Sequence, residues 1–543
     1  MQSQVKTLLI GINSKYIHPS MGIFQLYTNA LYETKYKEFS IKDDINHIIN
    51  EINSSDSDIV GLSVYIWNIE IIKQILPKIN KDTFLGGPEA SFNTSLLYEY
   101  LNVKYIIKGE GEEAFNELIE YIMGKRTIES VSNLYYLNNF GDIKYTFNKL
   151  PNLNNVKHDL SLIKDFKNRI CYIESSRGCY FNCSYCLAST EKPVRFFPLE
   201  EVKNNILYLL NNNARIIKFL DRSFNVNKVY TKEILSFIKE HDNGISTFQF
   251  EVVGDNIDDE IVEIINSLRP KMIRFEIGIQ TTNPTVTKEI RRIQDFDKLR
   301  ENILKIKDNV VIHTDLIAGL PLETFESFRK SFNDTFMLFT EELQLGFLKE
   351  LKGTHISLTK EKYNYIFSDT SPFEVISNKD ISSDELKIIK YVEEGVDHFY
   401  NKGEFKNLMN YLFRELELNP FDTFYNFIKD MTKEYSLSHY QFPDLTNLLY
   451  RSIAKLVTDK EKLFYIIKKD YLTRTKIKPK IFWTSTITRE ERLIVYKMLS
   501  EKENIDINEL YNYAYLDKYI DIHNKVTYFI INYKTHKTYE LEL

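Results

Sequence analysis

Cysteine is scarce in this chain: four in 543 residues, three of them within eight consecutive positions. A secreted disulfide scaffold spreads many cysteines over a short chain, so that class is excluded. Long hydrophobic runs are also missing. No stretch reaches the roughly 18 uncharged apolar residues that a membrane helix needs. The opening residues carry only a brief apolar stretch, interrupted at Asn13 and Lys15, without a signal peptide's long core or small-residue cleavage site. They read as a buried first strand, and the expected setting is cytoplasmic. Charge of one sign is lacking too. Seventy basic and 76 acidic residues are well mixed and leave a net charge of −6, which argues against an extended nucleic-acid surface and leaves room for a local basic groove at most. There are no internal repeats and no low-complexity tracts.

What is present is a succession of βα units. Apolar strands at 7–12, 59–64, 83–85 and 103–107 alternate with helical stretches, and several end in Ser63, Gly86-Gly87 or Gly109-Glu110-Gly111-Glu112. This is the pattern of an open parallel sheet, whose ligands sit beyond the carboxyl ends of its strands. The expected fold class is α/β. Residues 1–135 form a doubly wound, Rossmann-like parallel sheet, and polar, Asn-rich residues 136–168 a linker. Residues 169–355 form a second βα series, with strands near 170–175, 216–220, 248–253, 272–279, 310–318 and 342–351. About six units suggest a partial or full parallel (β/α) barrel with its site at the strands' carboxyl ends. Residues 356–543 read as a mainly helical C-terminal domain. Two alternating runs around Lys534-Thr535-His536 suggest a terminal hairpin.

Chemistry concentrates in one loop. Directly after the first barrel strand come Cys179, Cys183 and Cys186 at C-x3-C-x2-C spacing. Three thiolates on a loop that can wrap suit three corners of a [4Fe-4S] cubane and leave one iron open to a chelating ligand. Gly178 would let the backbone turn closely at the metal. A structural zinc site wants four ligands, and no fourth Cys or His lies near. Cys171 falls inside the preceding strand and is expected to be buried.

This spacing, with Tyr185 before the last cysteine, resembles the radical S-adenosylmethionine (SAM) superfamily. More narrowly, residues 1 to about 355 resemble the cobalamin-binding radical SAM proteins, through SSRGC (175–179), CSYC (183–186), FLDRSFN (219–225), FEIGIQTTNP (275–284), IRR (290–292) and LIAGLPLE (316–323). The whole chain looks like a subgroup with a C-terminal helical domain of unassigned function. The resemblance implies an enzyme with three cofactors: a [4Fe-4S] cluster, SAM and cobalamin. It also implies an external one-electron reductant of flavodoxin or ferredoxin type. Asp221 would stand near the methionyl amine of SAM. Glu276, Gln280, Gly319 and Glu323 would line its ribose and adenine. Ser63, Gly86 and Gly87 would surround the cobalamin tail. The Asp-x-His-x-x-Gly motif that gives many cobalamin proteins a cobalt ligand is absent; its nearest analogue runs from Asn13 through His18 to Gly22, so His18 is expected not to ligate cobalt. The implied reaction is methylation of an unreactive carbon. Radical oxidation, cyclisation or rearrangement is the alternative within the enzyme class, and a non-catalytic corrinoid or cluster sensor the alternative outside it. The substrate and the role of the C-terminal domain are not legible.

Overall fold

The structure is a computed structural model that describes residues 5–433, 436–475, 487–521, 523 and 525–542. The chain divides into two compact units. One comprises Met1–Phe328 and Leu345–Ser383, the other Arg329–Gln344 and Asp384–Leu543.

The first unit opens with a seven-stranded sheet: β1 (Thr7–Asn13), β2 (Thr34–Ser40), β3 (Ile59–Ser63), β4 (Asp82–Gly86), β5 (Val103–Ile107), β6 (Leu134–Leu137) and β7 (Ile143–Tyr145). The order is β2-β1-β3-β4-β5-β6-β7, with β1 to β5 parallel. Helices cover both faces of these strands, so they read as continuous apolar runs rather than alternating ones. Ile10, Val60, Leu62, Leu85 and Ile106 share a core with Ile48, Ile52 and Ile72 from the helices. From β1 the chain steps to β2 on one side and returns to β3 on the other. The crevice beyond the ends of β1 and β3 is therefore the sheet's switch point. Antiparallel β6 and β7 extend this sheet into the expected linker. Their turn is held by Asn138, whose side-chain oxygen accepts from the amides of Phe140 and Asp142.

The second sheet starts at β8 (Ile170–Ile173). A two-residue pair, β9 (Ser176–Arg177) and β10 (Arg195–Phe196), brackets the cysteine loop. Then follow β11 (Ile216–Phe219), β12 (Thr247–Glu251), β13 (Ile273–Gln280), β14 (Val311–Ala318) and β15 (Glu342–Phe347). The order β15-β14-β13-β12-β11-β8 gives six strands with β8 and β15 as edges, a partial barrel. Residues alternate along it. Ile217, Phe219, Phe248, Phe250, Phe275 and Ile277 are fully buried, while Lys218, Glu251, Glu276 and Asp315 are half-buried on the other face. A filled barrel would carry apolar residues on both faces, so the charged face marks this interior as a ligand cavity. The first unit retains residues 356–383, beyond the expected boundary, because the hairpin β16 (Ile366–Phe367) and β17 (Val375–Ser377) is anchored there.

The second unit is mainly helical, with helices including Pro420–Met431, Phe442–Ile453, Lys460–Arg474 and Arg489–Glu503. It ends in an antiparallel sheet of β18 (Ala514–Ile520), β19 (Val526–Asn532) and β20 (Lys537–Glu542). The expected hairpin is the last two strands, and β18 adds a third. Among the described residues no helix is long and apolar enough to cross a membrane.

Candidate functional site

The loop after β8 brings Cys179, Cys183 and Cys186 into one cluster with Phe181, Tyr185, Ala188 and Val253. Cys179 and Cys183 are buried and Cys186 half-buried. Burial pushes the Cys179 and Cys186 thiols up, and the neighbouring thiols push the same way. The thiolate is the form that ligates metal, so a cluster bound here would have to displace these protons. Gly178 has φ +96°, and a Cβ there would lie 2.7 Å from the Pro193 carbonyl oxygen and 2.8 Å from that of Glu191. Only glycine fits this turn. The Lys192 ammonium donates to the carbonyls of Cys179, Tyr180 and Phe181 at 2.5, 2.9 and 2.8 Å, fixing the segment between the first two cysteines. Arg292 donates to the Gly278 carbonyl at 2.6 Å, lies 3.7 Å from the Cys183 sulfur and stacks 4.1 Å from the Phe181 ring. Cys171 is fully buried in β8, its thiol pushed to about 12 by burial. No three His, Cys, Asp or Glu side chains among the described residues converge as ligands of a single ion would. A cubane instead spreads its thiolates over separate irons.

Upstream of the cysteines lies a buried ionic group that sequence reasoning did not find. Arg177 donates to Glu110 at 2.8 Å, Glu112 at 2.7 Å and Glu174 at 2.8 Å. Arg195 also pairs with Glu110. His158 stands between Glu174 and Glu201. Burial pulls its pKa down, but the two carboxylates outweigh that and hold it above its usual value. Burial opposes ionisation of Glu174 as well, yet Arg177 and His158 hold it down to about 2. Glu110 and Glu112 follow β5 of the first sheet, so this group ties that sheet to the cysteine loop. The only sequence signal was the Gly-Glu-Gly-Glu strand end.

Around the barrel's strand ends, two expected ligand residues carry hydrogen bonds that support the local backbone. Asp221 is fully buried, and its carboxylate accepts from the Ser175 amide at 2.9 Å and from the hydroxyls of Ser175 and Ser176 at 2.6 and 2.5 Å. Both oxygens are engaged in holding the segment that leads to Cys179. Glu323 is likewise fully buried, accepting from Thr281 at 2.6 Å and Ser327 at 3.3 Å. Glu276 faces the barrel interior, paired with Lys218 at 2.8 Å. Gln280 follows a bulge, has φ +70°, and carries a buried Oε1 without a hydrogen-bond partner among the described residues. Gly319 has φ +87°, starting a tight turn after β14.

At the first sheet's crevice, Ser63 and Gly86 are level with each other at the ends of β3 and β4. The nearest atom to a Cβ on Gly86 is 3.9 Å away, so that position is open. Gly87 is not: it has φ +98°, and its Cβ would lie 2.7 Å from the Val64 carbonyl oxygen. This glycine permits close backbone packing against Val64. Tyr65 and Trp67 stack at 4.3 Å on the same rim, and Trp67 donates to the Ile12 carbonyl. His18 meets the Tyr172 hydroxyl of β8 through Nδ1 at 2.7 Å.

Comparison with known proteins accounts for this arrangement. Residues 7–119 match the B12 binding domain and residues 173–335 the radical SAM superfamily. The chain is a cobalamin-binding radical SAM protein. Residues 361–542 match a family described as a protein of unknown function (DUF4080). An uncharacterized methyltransferase of Pyrococcus horikoshii is 28% identical over 221 residues, 37% of this chain and 47% of that one. The cobalamin-dependent radical SAM methyltransferase TokK of Streptomyces tokunonensis is 22% identical over 315 residues, 50% of this chain and 44% of that one. The chain thus spans about half the length of the curated relatives it matches. In fold it is similar to the radical SAM methyltransferase TsrM of Kitasatospora setae with cobalamin and a [4Fe-4S] cluster bound: TM-score 0.56, 16% identity, 66% of this chain and 78% of that one. It is also similar to the cobalamin-dependent SAM radical enzyme OxsB: TM-score 0.56, 14% identity, 92% of this chain and 80% of that one.

The radical SAM cysteines fit a site-differentiated cluster on this structure's own terms. Two buried thiols and one half-buried thiol share one cluster, a cation fixes their loop, and the fourth cysteine is shut inside a strand. The B12-binding sheet fits a corrinoid tail at Gly86 and Ser63, the open part of its crevice. At Gly87 the Cβ side is filled by the Val64 backbone.

Proposed function

We propose that this protein is a cobalamin-dependent radical SAM enzyme that cleaves SAM reductively and methylates an unreactive substrate carbon. The observation carrying this is that one buried ionic group, Arg177 with Glu110, Glu112 and Glu174, joins the cysteine loop to the B12-binding sheet. When bound, the cluster supplies one electron to split SAM into methionine and a 5′-deoxyadenosyl radical, and cobalamin supplies a transferable methyl group. Cys179, Cys183 and Cys186 hold three irons, leaving the fourth for SAM. Lys192 holds the Cys179–Phe181 carbonyls and so fixes the segment between the first two cysteines. Gln280 and the turn at Gly319 border the SAM site. Lys218, Glu251, Glu276 and Asp315 give the cavity a charged lining suited to a polar substrate. Ser63 and Gly86 receive the cobalamin tail. The reading includes a cytoplasmic setting and a flavodoxin- or ferredoxin-type electron donor.

A second reading is radical oxidation, cyclisation or rearrangement: a relative in Priestia megaterium, 26% identical over 164 residues, is a 4′-phospho-dehydrooxetanocin synthase and is not named a methyltransferase. The test is anaerobic reconstitution with iron, sulfide and cobalamin, followed by one-electron reduction with SAM carrying a labelled methyl group. Formation of 5′-deoxyadenosine supports radical SAM chemistry, and its absence refutes it. Label entering a product supports methyl transfer, and turnover without label supports the second reading.

A further inference from the structure

The segment after β15 does more than lead out of the barrel. Within the first unit it crosses three places. Lys352 donates to the Asn93 side chain at 2.8 Å and Ser371 to the Ile66 carbonyl, both in the B12-binding domain. The Ile356 amide donates to the Ser184 carbonyl, between two cluster cysteines, at 2.9 Å. The third place is the turn at residues 319–322, where the contacts are densest. The Tyr365 hydroxyl donates to the Gly319 carbonyl at 2.9 Å, and the Asn378 amide donates to the same oxygen at 3.1 Å. Val375 packs where a Gly319 Cβ would be, 2.7 Å away. Asp380 accepts from the Leu322 amide at 2.9 Å.

This turn needs outside support. Gly319 and Leu322 both have positive φ, +87° and +63°, and for a leucine that conformation is strained. Glu323 buttresses it from the barrel side through Thr281. All the other restraints named here come from residues 365–380, which lie in the region matched only to a family of unknown function. Tyr365 and Asn378 are themselves buried, so both donors are committed to the one carbonyl.

We propose that Tyr365 and Asn378 are positioning residues of the SAM site. They fix the Gly319–Glu323 turn in its strained form, so that the start of the function-unassigned region belongs to the cofactor site. This rests on the reading above that the turn borders SAM. Neither side chain reaches the reacting atoms. They act by keeping the binding-competent turn populated, and a turn that relaxes lowers apparent affinity by its lost fraction.

The test uses the full-length, cluster-reconstituted protein and measures equilibrium SAM binding, cobalamin uptake, iron content and thermal melting. Tyr365→Phe removes one donor and keeps the ring stacked on Phe367. Losing one such bond should weaken SAM binding about five-fold. Asn378→Asp removes the other donor but keeps the oxygen that caps the amides of Asp380 and Ile381. Combined with Tyr365→Phe it should weaken SAM binding more than about ten-fold. Iron content and cobalamin uptake should stay at wild-type levels, and Ser371→Ala, which alters the strap's B12-side anchor, should leave SAM affinity unchanged. Wild-type protein that binds SAM, with variants that bind it equally well, overturns the inference alone. Loss of iron or cobalamin in parallel with SAM overturns it too, because the strap would then be merely structural. Wild-type protein that binds no SAM overturns the functional reading and the inference with it.

Discussion

Asp221 offers a prediction whose size follows from its surroundings. Burial in the support beneath the cysteine loop raises its carboxyl from 3.8 to about 6, although three hydrogen bonds from Ser175 and Ser176 pull the other way. The folded state therefore holds the Asp221 proton more tightly than the unfolded state does. Below pH 4 both states are protonated and the shift contributes nothing. Between pH 4 and 6 the folded state carries the extra proton, so its stability falls as pH rises, and above pH 6 the full difference of about 3 kcal/mol remains. Asn cannot ionise. Asp221→Asn should thus gain local stability relative to wild type as pH rises from 5 to 7.5, by about 1.3 kcal/mol. A chain of two units does not unfold in one step, so the measurement must be local. Hydrogen exchange of the peptide covering residues 170–178 reports it, because the Ser175 amide donates directly to Asp221. The constant offset between the two proteins depends on how Asn repacks, but the pH-dependent part does not. A wild-type-minus-variant difference that stays flat from pH 5 to 7.5 would refute the burial argument.

Three further outcomes are expected. Replacing any one of Cys179, Cys183 and Cys186 by Ala should abolish the iron–sulfur absorption, whereas Cys171→Ala should keep about four irons per chain; loss of iron in Cys171→Ala would show the ligand set to be wrong. Arg177→Met leaves Glu110, Glu112 and Glu174 facing one another in a buried site and should destabilise the first unit by about 3–5 kcal/mol, read as faster hydrogen exchange at residues 108–115; unchanged exchange there would mean that the ionic group does not join the two sheets. Gly87→Ala should cost on the order of 1–3 kcal/mol through its positive φ and the Val64 carbonyl, whereas Gly86→Ala should fold normally and weaken cobalamin binding; normal cobalamin uptake by Gly86→Ala would move the tail elsewhere.

What could be read in the sequence follows from what kinds of interaction leave a local trace. The cysteine loop was legible because cluster chemistry fixes residue type and spacing over eight positions. The parallel strands were legible because strands covered on both faces become continuous apolar runs. The hydrogen bonds that Asp221 and Glu323 accept from neighbouring hydroxyls left no trace, because a strand-end carboxylate looks the same whether it faces a ligand or a pair of hydroxyls. The β6–β7 hairpin was hidden by its Asn-rich turn, and β18 by the charges within it. Asp517 interrupts the apolar alternation there and is tolerated because Lys468 of the helix Lys460–Arg474 meets it at 2.6 Å, both side chains being buried. The strap around residues 348–381 was invisible for another reason. Its contacts to Asn93 and Ile66 bridge sequence separations of 259 and 305 residues, and no local pattern encodes a partner so far away.

The same distinction bears on why a charged group, rather than an apolar one, joins the two cofactor sheets. Removing one arginine and several carboxylates from water is expensive, and apolar residues of equal volume would often be as stable or more so. Stability alone therefore does not explain Arg177. Apolar contacts, however, tolerate sliding, while a guanidinium whose donors are divided among Glu110, Glu112 and Glu174 fits in one register only. Arg177 lies two residues before Cys179, and Glu110 and Glu112 lie directly after β5. A slip of either sheet would leave a buried carboxylate without its donor. On the proposed function, in which an iron–sulfur loop and a corrinoid-binding crevice act on one substrate, that penalty for misregister is a physical reason for keeping the ions.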